Sequence, residues 1–355
     1  MGRARLSWRL ALPLIVLSCV ARGVFAAPTV ESPTNDAVAR CLHVIRKAQL
    51  PDGAIRLDAR NDTVRIAPYY ANVACHALLA GRAIDPDQDD LDRVRRWIAW
   101  YVAHARPDGT ILDHIGTTTR YEPSPKRDSI DTYPTSFLTL LGRFDDATDH
   151  RESASLLPPA KLALKAIEKS IDPSDGLAWA SVPHKVKYPM DNIEVAAGLD
   201  HGARFFERAG ANEEAAIARR LRDRCSDGIA GFWLADHGYF AWARSTKLHV
   251  RFEHGYPEGV VNAFAAGRLD PPPPAALWEN LKKTFGSEPR ITPDLWLVAA
   301  RRCGTPTEVE RYLPSTIEAT RAESLTTECA ARLCLALLSD REPSPVGHVH
   351  VAIAK

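Results

Sequence analysis

The chain has little glycine and no strong excess of charge of either sign, and both features limit its fold and partners. Only 20 of its 355 residues are Gly, which fits poorly with an all-β protein built on many tight turns. Four of the 45 basic residues and none of the 44 acidic ones lie in residues 1–26, so 41 basic residues face 44 acidic ones elsewhere. Nucleic-acid-binding proteins normally show a basic field, so we expect no nucleic-acid partner.

Motifs of several enzyme classes are also missing from the sequence. It contains no Gly-x-Ser-x-Gly, no phosphate-binding Gly-rich loop and no Cys-x-x-Cys pair. His348 and His350 alone are too few to hold a metal ion, so we expect neither a metal nor another cofactor. Cys41 and Cys75, on successive predicted helices, could form a disulfide or be buried thiols. The sequence leaves open the pairing of all six cysteines beyond residue 26: Cys41, Cys75, Cys225, Cys303, Cys329 and Cys334.

No segment offers a comfortable membrane span, but the first 26 residues have the features of a secretory signal peptide. A basic stretch, MGRARLSWR, is followed by the short apolar run LALPLIVLSCVA and by Val24-Phe25-Ala26, a small-residue cleavage pattern. We therefore expect a secreted or periplasmic protein whose mature chain begins at Ala27. Val16-Leu17-Ser18-Cys19 loosely resembles a bacterial lipoprotein box, which makes a lipid anchor at Cys19 the alternative.

An Asp-Gly pair recurs along the chain and indicates a repeated unit. The pairs are spaced 56, 67 and 52 residues apart, and each follows a helix-like segment. Asp-Gly favours a tight turn because Gly tolerates positive φ. A unit of about 55 residues would occur about six times in the mature chain. The pairs are Asp52-Gly53, Asp108-Gly109, Asp175-Gly176 and Asp227-Gly228.

Twelve helices are predicted, and they alternate in character. The odd-numbered ones are amphipathic, whereas the even-numbered ones are apolar nearly all round, as in residues 132–141. A helix that is apolar on every side must be buried on every side. We therefore predict an all-α (α/α)6 toroid over residues 27–340, with six inner and six outer helices, and a C-terminal tail over 341–355. The predicted helices span 34–49, 66–81, 88–105, 131–142, 158–171, 189–208, 212–225, 256–267, 274–285, 292–302, 306–320 and 326–339.

Polar side chains cluster in the first turns of the inner helices, at the end of the ring where most of the connections are long. Aromatic rings stack on sugars and acids accept hydrogen bonds from hydroxyl groups, so this end is typical of a carbohydrate site. The long loops of this end are predicted at 50–65, 106–130, 172–188 and 226–255, and such loops usually build the site. The candidate substrate-binding residues are Tyr69, Tyr70, Asn72, Asp128, Tyr133, Trp179, Lys187, Tyr188, Asn192, Glu194, Trp233, Trp242 and Tyr256.

Two facing carboxylates could cleave a glycosidic bond, one as general acid and the other as base or nucleophile. Asp131 and Asp191 are the best pair, because both open inner helices that are neighbours in a six-fold ring. Glu258, on the next inner helix, is the third catalytic candidate. For each single acid, capping of a helix N-terminus is the alternative role.

Several phrases in this region resemble a family of bacterial proteins with the six-hairpin, (α/α)6 toroid fold of several glycoside hydrolase clans. They include IAPYYAN at 66–72, DSIDTY at 128–133 and KYPMDNIE at 187–194, and the likeness runs from about residue 35 to 340. The resemblance implies the toroid fold and, less directly, carbohydrate chemistry. The chain departs from the pattern at Pro134, which shifts the expected helix start, and at Glu258, where an Asp is usual.

The sequence leaves three functions open. The first is an exported glycoside hydrolase acting on an oligo- or polysaccharide. The second is a polysaccharide lyase, for which Lys187, Arg120, Arg127 or Lys126 could neutralise a uronic acid. The third is a module that binds glycan or a partner without chemistry. Sugar, linkage, stereochemical course and oligomeric state are not determined by the sequence.

Overall fold

The computed structural model describes residues 32–125, 129–180, 185–245, 249–250, 256–286, 290–340 and 349–353. The predicted signal peptide, including Cys19, lies outside these ranges. Pro33–Lys355 forms one compact unit. Within the described ranges, every helix is too short or too polar to span a bilayer.

Twelve α-helices follow one another in the described part of the chain, close to the predicted positions. Five of them, the first, second, sixth, tenth and eleventh, begin with Pro, whose fixed φ favours the first helical position. The helices are α1 (Pro33–Ala48), α2 (Pro68–Gly81), α3 (Asp90–His104), α4 (Thr132–Ala147), α5 (Ser153–Ser170), α6 (Pro189–Arg208), α7 (Asn212–Ala230), α8 (Tyr256–Arg268), α9 (Ala275–Phe285), α10 (Pro293–Cys303), α11 (Pro306–Ala319) and α12 (Thr327–Leu338).

The even-numbered helices form a closed inner ring, and the odd-numbered helices surround it. Each inner helix contacts the next in the order α2, α4, α6, α8, α10, α12, and α12 returns to α2. Most outer helices pack against two neighbouring inner helices; α3, for example, lies against α2 and α4, whereas α7 packs mainly on α6. The predicted all-α (α/α)6 toroid is therefore confirmed.

Three of the four Asp-Gly pairs are tight turns that join successive repeats. Gly53, Gly109 and Gly176 have φ of +100°, +84° and +76°. A Cβ atom at each would collide with a backbone carbonyl oxygen of the next outer helix, in α3, α5 and α7 respectively. The recurring pair thus permits both the turn and the close contact between one unit and the next.

The prediction that the fourth pair forms a turn was wrong. Helix α7 continues through Asp227 and Gly228 to Ala230, five residues beyond its predicted end at 225. A Cβ atom at Gly228 would lie 2.6 Å from the carbonyl oxygen of Asp175 and 2.8 Å from Leu177. This glycine is required by close packing of a helix against a loop, and not by a positive φ.

The other predicted helix boundaries differ mainly around α4 and α5. Helix α4 begins at Thr132 with Pro134 in its first turn, where the missing N–H is tolerated, so the proline does not displace the helix start. Helix α5 begins at Ser153, before the predicted 158, and contains Pro158 and Pro159.

Short strands, which the sequence did not predict, connect the long loops. One sheet has the order β1-β2-β3 and links the loops before α2 and α4; another, β4-β7-β8, links those before α6 and α8. The strands are β1 (Thr63–Ile66), β2 (His114–Thr117), β3 (Tyr121–Pro123), β4 (Val186–Lys187), β5 (Trp233–Leu234), β6 (Tyr239–Phe240), β7 (Ala243–Ser245), β8 (His249–Val250), β9 (Leu269–Asp270) and β10 (Val349–His350).

The end of the chain packs onto the toroid. Strand β10 pairs in parallel with β9, which directly follows α8, and Val349 and Val351 are buried. His350 is exposed and His348 lies outside the described residues.

Helices α4 and α6 approach each other closely at Gly198, and this contact yields a stability prediction. A Cβ atom there would lie 2.8 Å from the carbonyl oxygen of Thr135. We expect Gly198→Ala to lower the free energy of unfolding by about 1–3 kcal/mol, because the two backbones must separate. Gly142→Ala is the matched control, since its nearest neighbour in the same interface is 3.5 Å away.

Urea denaturation of the two variants tests this prediction. Gly142→Ala should be neutral or stabilising by up to about 1 kcal/mol, because Ala favours a helix over Gly. Equal effects of the two substitutions would contradict the close approach at Gly198.

Candidate active site

The inner ring encloses a cavity of about 320 Å³, lined by residues of all six inner helices. Its wall is mainly apolar, but it includes charged side chains from four helices. This combination of an enclosed apolar wall and a few polar groups is typical of small-molecule sites. The charged residues of the wall are Glu194, Arg268, Asp294, Glu328 and Arg332.

Glu194, in the second turn of α6, is shielded from bulk water by the ring while part of its surface faces the cavity. Its Oε1 accepts a 2.5 Å hydrogen bond from the hydroxyl group of Tyr69. Burial raises the pKa of Glu194 to about 7; the charge of Asp131 adds to the rise, and Tyr69 and Arg268 oppose it. A carboxyl group with such a pKa can hold a proton near neutral pH and donate it to a substrate.

Tyr69 and Tyr70 open α2 and line the same cavity. Their rings meet edge to face with centroids 5.1 Å apart. Burial, together with the nearby Glu194, raises the pKa of Tyr69 well above its usual value. Tyr69 is therefore a hydrogen-bond donor and a poor base at neutral pH.

Arg332 of α12 forms a bridge to the neighbouring inner helix α10. Its Nε donates to Oδ2 of Asp294 at 3.0 Å, and its Nη2 donates to Oγ1 of Thr292 at 2.6 Å. Glu328, one turn earlier on α12, lies 3.6 Å from Nη1. Arg332 is thus held by groups of the protein itself.

Arg268, the last residue of α8, has no such partners. Its guanidinium group lies over the ring of Phe264, 3.8 Å from the centroid. Its Nε and Nη1 are buried and make no hydrogen bond within the described part of the chain. Burial lowers the pKa of Arg268, and the negative charges of Glu194 and Asp294 oppose that effect.

The three predicted catalytic residues are not among the described residues that line this cavity. Asp131 is fully buried as the N-cap of α4, where it accepts from the backbone N–H of Thr132 at 2.8 Å and from the hydroxyl group of Ser129. Asp191 is half-buried in the first turn of α6, one turn before Glu194. Glu258 is buried beside a separate small cavity between α8 and α9. Catalysis by these residues stays a prediction.

Asn72 and Tyr133, both predicted to bind substrate, are buried in contacts between helices and loops. Asn72 accepts from Nε1 of Trp97 at 2.9 Å and donates to Oγ of Ser136 at 2.9 Å, which links α2 to α3 and α4. The hydroxyl group of Tyr133 donates to Oδ1 of Asp113 at 2.7 Å.

Asn192 of α6 and Asn262 of α8 attach long loops to the ring of inner helices. Asn192 accepts from the backbone N–H of Ala178 at 2.7 Å and donates to the carbonyl oxygen of Tyr188 at 2.9 Å. Asn262 binds both backbone groups of Phe240, accepting at 2.8 Å and donating at 3.0 Å. This recurrent role was not predicted from the sequence.

Lys187 forms a buried ionic cluster in the loop before α6. Its Nζ lies 2.7 Å from both Oδ2 of Asp172 and Oδ1 of Asp175, and 3.9 Å above the ring of Trp179. Although burial opposes it, the hydrogen bond from Lys187 lowers the pKa of Asp172 to about 2. The cluster stabilises the loop, and the positive charge of Lys187 is already balanced without a substrate.

The remaining predicted binding residues lie on or beside the long loops. Tyr188 stacks on Trp242 with centroids 5.6 Å apart, and Trp233 packs edge to face on Phe240 at 5.1 Å. Asp128 and the side chain of Tyr256 lie outside the described residues. Of the predicted set, the structure brings together Tyr69, Tyr70 and Glu194 on the cavity wall.

Four charged residues of the wall were not predicted as site residues: Arg268, Asp294, Glu328 and Arg332. The predicted site residues are mostly acids and aromatic residues near the starts of the inner helices, whereas Arg268 and Arg332 lie deeper. A sequence signal for these two residues was present, since Arg268 and Arg332 are each a rare charge in a mainly apolar helix. A charge on a helix that is buried on every side needs a partner or a function.

One group of side chains outside the cavity has the composition of a metal site. Ligand atoms of Asp145, Asp146 and His150 lie within 4.8 Å of one another near the C-terminal end of α4. The carboxylate of Asp145 already accepts from Nδ1 of His150 at 2.9 Å and from Oγ of Ser153 at 2.6 Å. These contacts account for the group as the hydrogen-bonded end of a helix.

The buried thiols Cys41 and Cys75 are not joined by a disulfide. Burial raises the pKa of Cys41 to about 12, so it behaves as a small apolar side chain.

No family model and no curated protein matches the sequence. Solved structures do match the fold. A β-1,3-1,4-glucanase from Paenibacillus sp. X4 is 10% identical with a TM-score of 0.63, over 88% of this chain and 93% of the glucanase. A GH63 mannosylglycerate hydrolase from Thermus thermophilus, in complex with glucose, is 10% identical with a TM-score of 0.60, over 86% of this chain and all of the hydrolase.

A rhamnosidase from Klebsiella oxytoca with rhamnose bound is 14% identical, with a TM-score of 0.60 over 88% of this chain. The match covers 64% of the rhamnosidase. These three proteins are glycosidases with the six-hairpin fold, and at identities of 10–14% the likeness concerns the fold alone. The chain therefore has the six-hairpin (α/α)6 toroid fold that these glycosidases share.

Proposed function

We propose that the protein is a glycoside hydrolase that cleaves a glycosidic bond in the central cavity. The observation that carries this proposal is Glu194, a carboxyl group on the cavity wall whose pKa burial raises to about 7. Glycosidases need one such acid to protonate the leaving oxygen. The six-hairpin glycosidases with the same fold support the proposal.

In the proposed reaction, Glu194 donates its proton to the glycosidic oxygen as the bond from that oxygen to the anomeric carbon breaks. The oxygen of a water molecule forms the new bond to the anomeric carbon, and a second carboxylate accepts the proton of that water. We assign this second role to Asp294, which lines the same cavity and is held by Arg332. Asp294 then releases that proton to solvent, and Glu194 regains one from solvent.

The state of Tyr69 disfavours a lyase. Elimination needs a base to remove a proton next to a carboxylate, and the raised pKa of Tyr69 makes it unsuited to that step. Of the predicted cations, Lys187 is paired with two aspartates and Arg120 is exposed and paired with Glu122. Arg127 and Lys126 lie outside the described residues.

A glycan panel tests the proposed function. Purified protein is incubated with neutral and acidic oligo- and polysaccharides and assayed for new reducing ends and for the absorbance of unsaturated products. Hydrolysis predicts reducing ends without absorbance, and none with the Glu194→Gln variant. Absorbance would indicate a lyase, and binding without either product would indicate the non-catalytic alternative; both results contradict the proposal.

We further propose that the enzyme is exported and begins at Ala27. The measurement is the intact mass of the protein recovered from the periplasm or medium of a bacterial host. A mass that corresponds to a chain beginning at a lipid-modified Cys19 would contradict this proposal and show that the protein is lipid-anchored.

A further inference from the structure

Arg268 is the cation of the cavity wall that forms no ion pair or hydrogen bond through Nε and Nη1 with the described residues. Arg332, on the same wall, binds Asp294 and Thr292, whereas Nε and Nη1 of Arg268 make no hydrogen bond within the described ranges. Burying a charged group without partners is costly, and native proteins normally pair such groups. A buried arginine without hydrogen-bond partners on the wall of a cavity is typical of an anion-binding site.

We propose that Arg268 binds the carboxylate of an acidic sugar, so that the substrate of this enzyme is a glycoside of a sugar acid. This inference rests on the proposed function and names its substrate class. Guanidinium and carboxylate groups match geometrically, because two parallel N–H donors meet two oxygens. The guanidinium group lies over the ring of Phe264, 3.8 Å from the centroid, and Arg268 lines the cavity.

The size and charge of the cavity favour a small, singly charged ligand. A volume of about 320 Å³ is near the lower limit of small-molecule sites, which suits a terminal sugar unit. Arg332 is already paired with Asp294 and Glu328, so Arg268 is the one arginine of the wall that can take up a carboxylate. A doubly charged phosphate would leave an excess of negative charge close to Glu194 and Asp294, whose charges already act on Arg268.

The same contact would assist the proposed chemistry. The positive charge of Arg268 lowers the pKa of Glu194 and so favours loss of its proton. A substrate carboxylate bound to Arg268 cancels that charge, and Glu194 then keeps its proton in the complex. An acidic substrate would thereby be both recognised and made ready for protonation of the glycosidic oxygen.

Calorimetric titration with matched sugars tests the inference without any turnover. Glucuronate and galacturonate are compared with glucose and galactose, and inorganic phosphate is titrated separately. We expect at least one sugar acid to bind on the order of 10- to 100-fold more tightly than its neutral counterpart, as for a hydrogen-bonded charged group. Equal binding of acid and neutral sugar, or tighter binding of phosphate than of either acid, would overturn the proposal.

Two variants assign the preference to Arg268. Arg268→Met should remove the preference for the acid over its neutral counterpart. Arg268→Lys, which keeps the charge but loses the two-point geometry, should show an intermediate preference and provides the test if the Met variant does not fold. A full preference in either variant would contradict the role of Arg268.

This experiment separates failure of the inference from failure of the proposed function. Binding of a sugar acid through Arg268, with no hydrolysis of any glycan in the panel, would retain the inference and reject the hydrolase. Hydrolysis of neutral glycosides alone would retain the proposed hydrolase and reject the inference that the substrate is a sugar acid.

Discussion

Replacing Glu194 by Gln is expected to lower kcat by roughly 10²- to 10⁴-fold, the usual contribution of a general acid. Gln has the same size and still accepts the hydrogen bond from Tyr69. The substitution therefore removes the proton that the leaving oxygen requires and retains the shape of the cavity. Steady-state kinetics on a hydrolysed member of the glycan panel measure the loss, with little change in KM.

Two comparisons make this result specific. Glu213→Gln, on the exposed surface of α7, should have no effect on kcat. Asp131→Asn keeps a good N-cap residue, so it should preserve both the fold and most of the activity. If Asp131→Asn lowered kcat as much as Glu194→Gln at unchanged stability, Asp131 and not Glu194 would be the general acid.

Asp191→Asn tests the other half of the pair predicted from the sequence. Because Asp191 is half-buried one turn before Glu194 and is not among the described residues of the cavity wall, we expect a smaller loss than for Glu194→Gln. A complete loss of activity with intact folding would assign Asp191 a direct catalytic role.

The second large effect concerns stability as a function of pH. The pKa of Glu194 is about 7 in the folded protein and near 4.5 when exposed, so the folded state binds its proton more tightly than the unfolded state. The contribution of Glu194 to stability is therefore fully present below pH 4.5 and is lost as the pH rises to 7. At pH 8, Glu194→Gln is expected to be more stable than the natural protein by up to about 3 kcal/mol.

Urea denaturation of both proteins between pH 4 and pH 8 measures this difference. Other titrating groups affect both proteins equally, so the difference curve isolates Glu194. We expect the advantage of the Gln variant to develop mainly between pH 4.5 and 7. A constant difference over the whole range would show that the pKa of Glu194 is not raised.

The architecture was predictable because the alternating polarity of the helices and the recurring Asp-Gly turns indicate the same arrangement. Apolar helices such as α12 alternate with amphipathic ones such as α7, and only a double ring buries both correctly. The turns at Gly53, Gly109 and Gly176 mark the repeats. At Gly228 the same dipeptide serves packing inside a helix, a distinction that depends on tertiary contacts and is not encoded locally.

The site was less predictable, because the sequence shows where an acid lies but not what surrounds it. Asp131 and Glu194 both lie near the start of an inner helix, yet one caps the helix and the other faces the cavity. Arg268 is distant from these starts in sequence, but its position on the ring wall places it within electrostatic reach of Glu194. Such a relationship arises only when six helices close into a ring.

Whether Glu194 holds a proton near neutral pH is measured by infrared titration of the carboxyl groups in the natural protein and in Glu194→Gln. Protonated carboxyl groups have a distinct C=O stretch, so each titration can be followed as the pH rises from 5 to 9. We expect one band that disappears near pH 7 in the natural protein and is missing in the variant. A natural protein in which all carboxyl groups lose their protons in the usual range of glutamate, or a variant that keeps the band, would contradict this expectation.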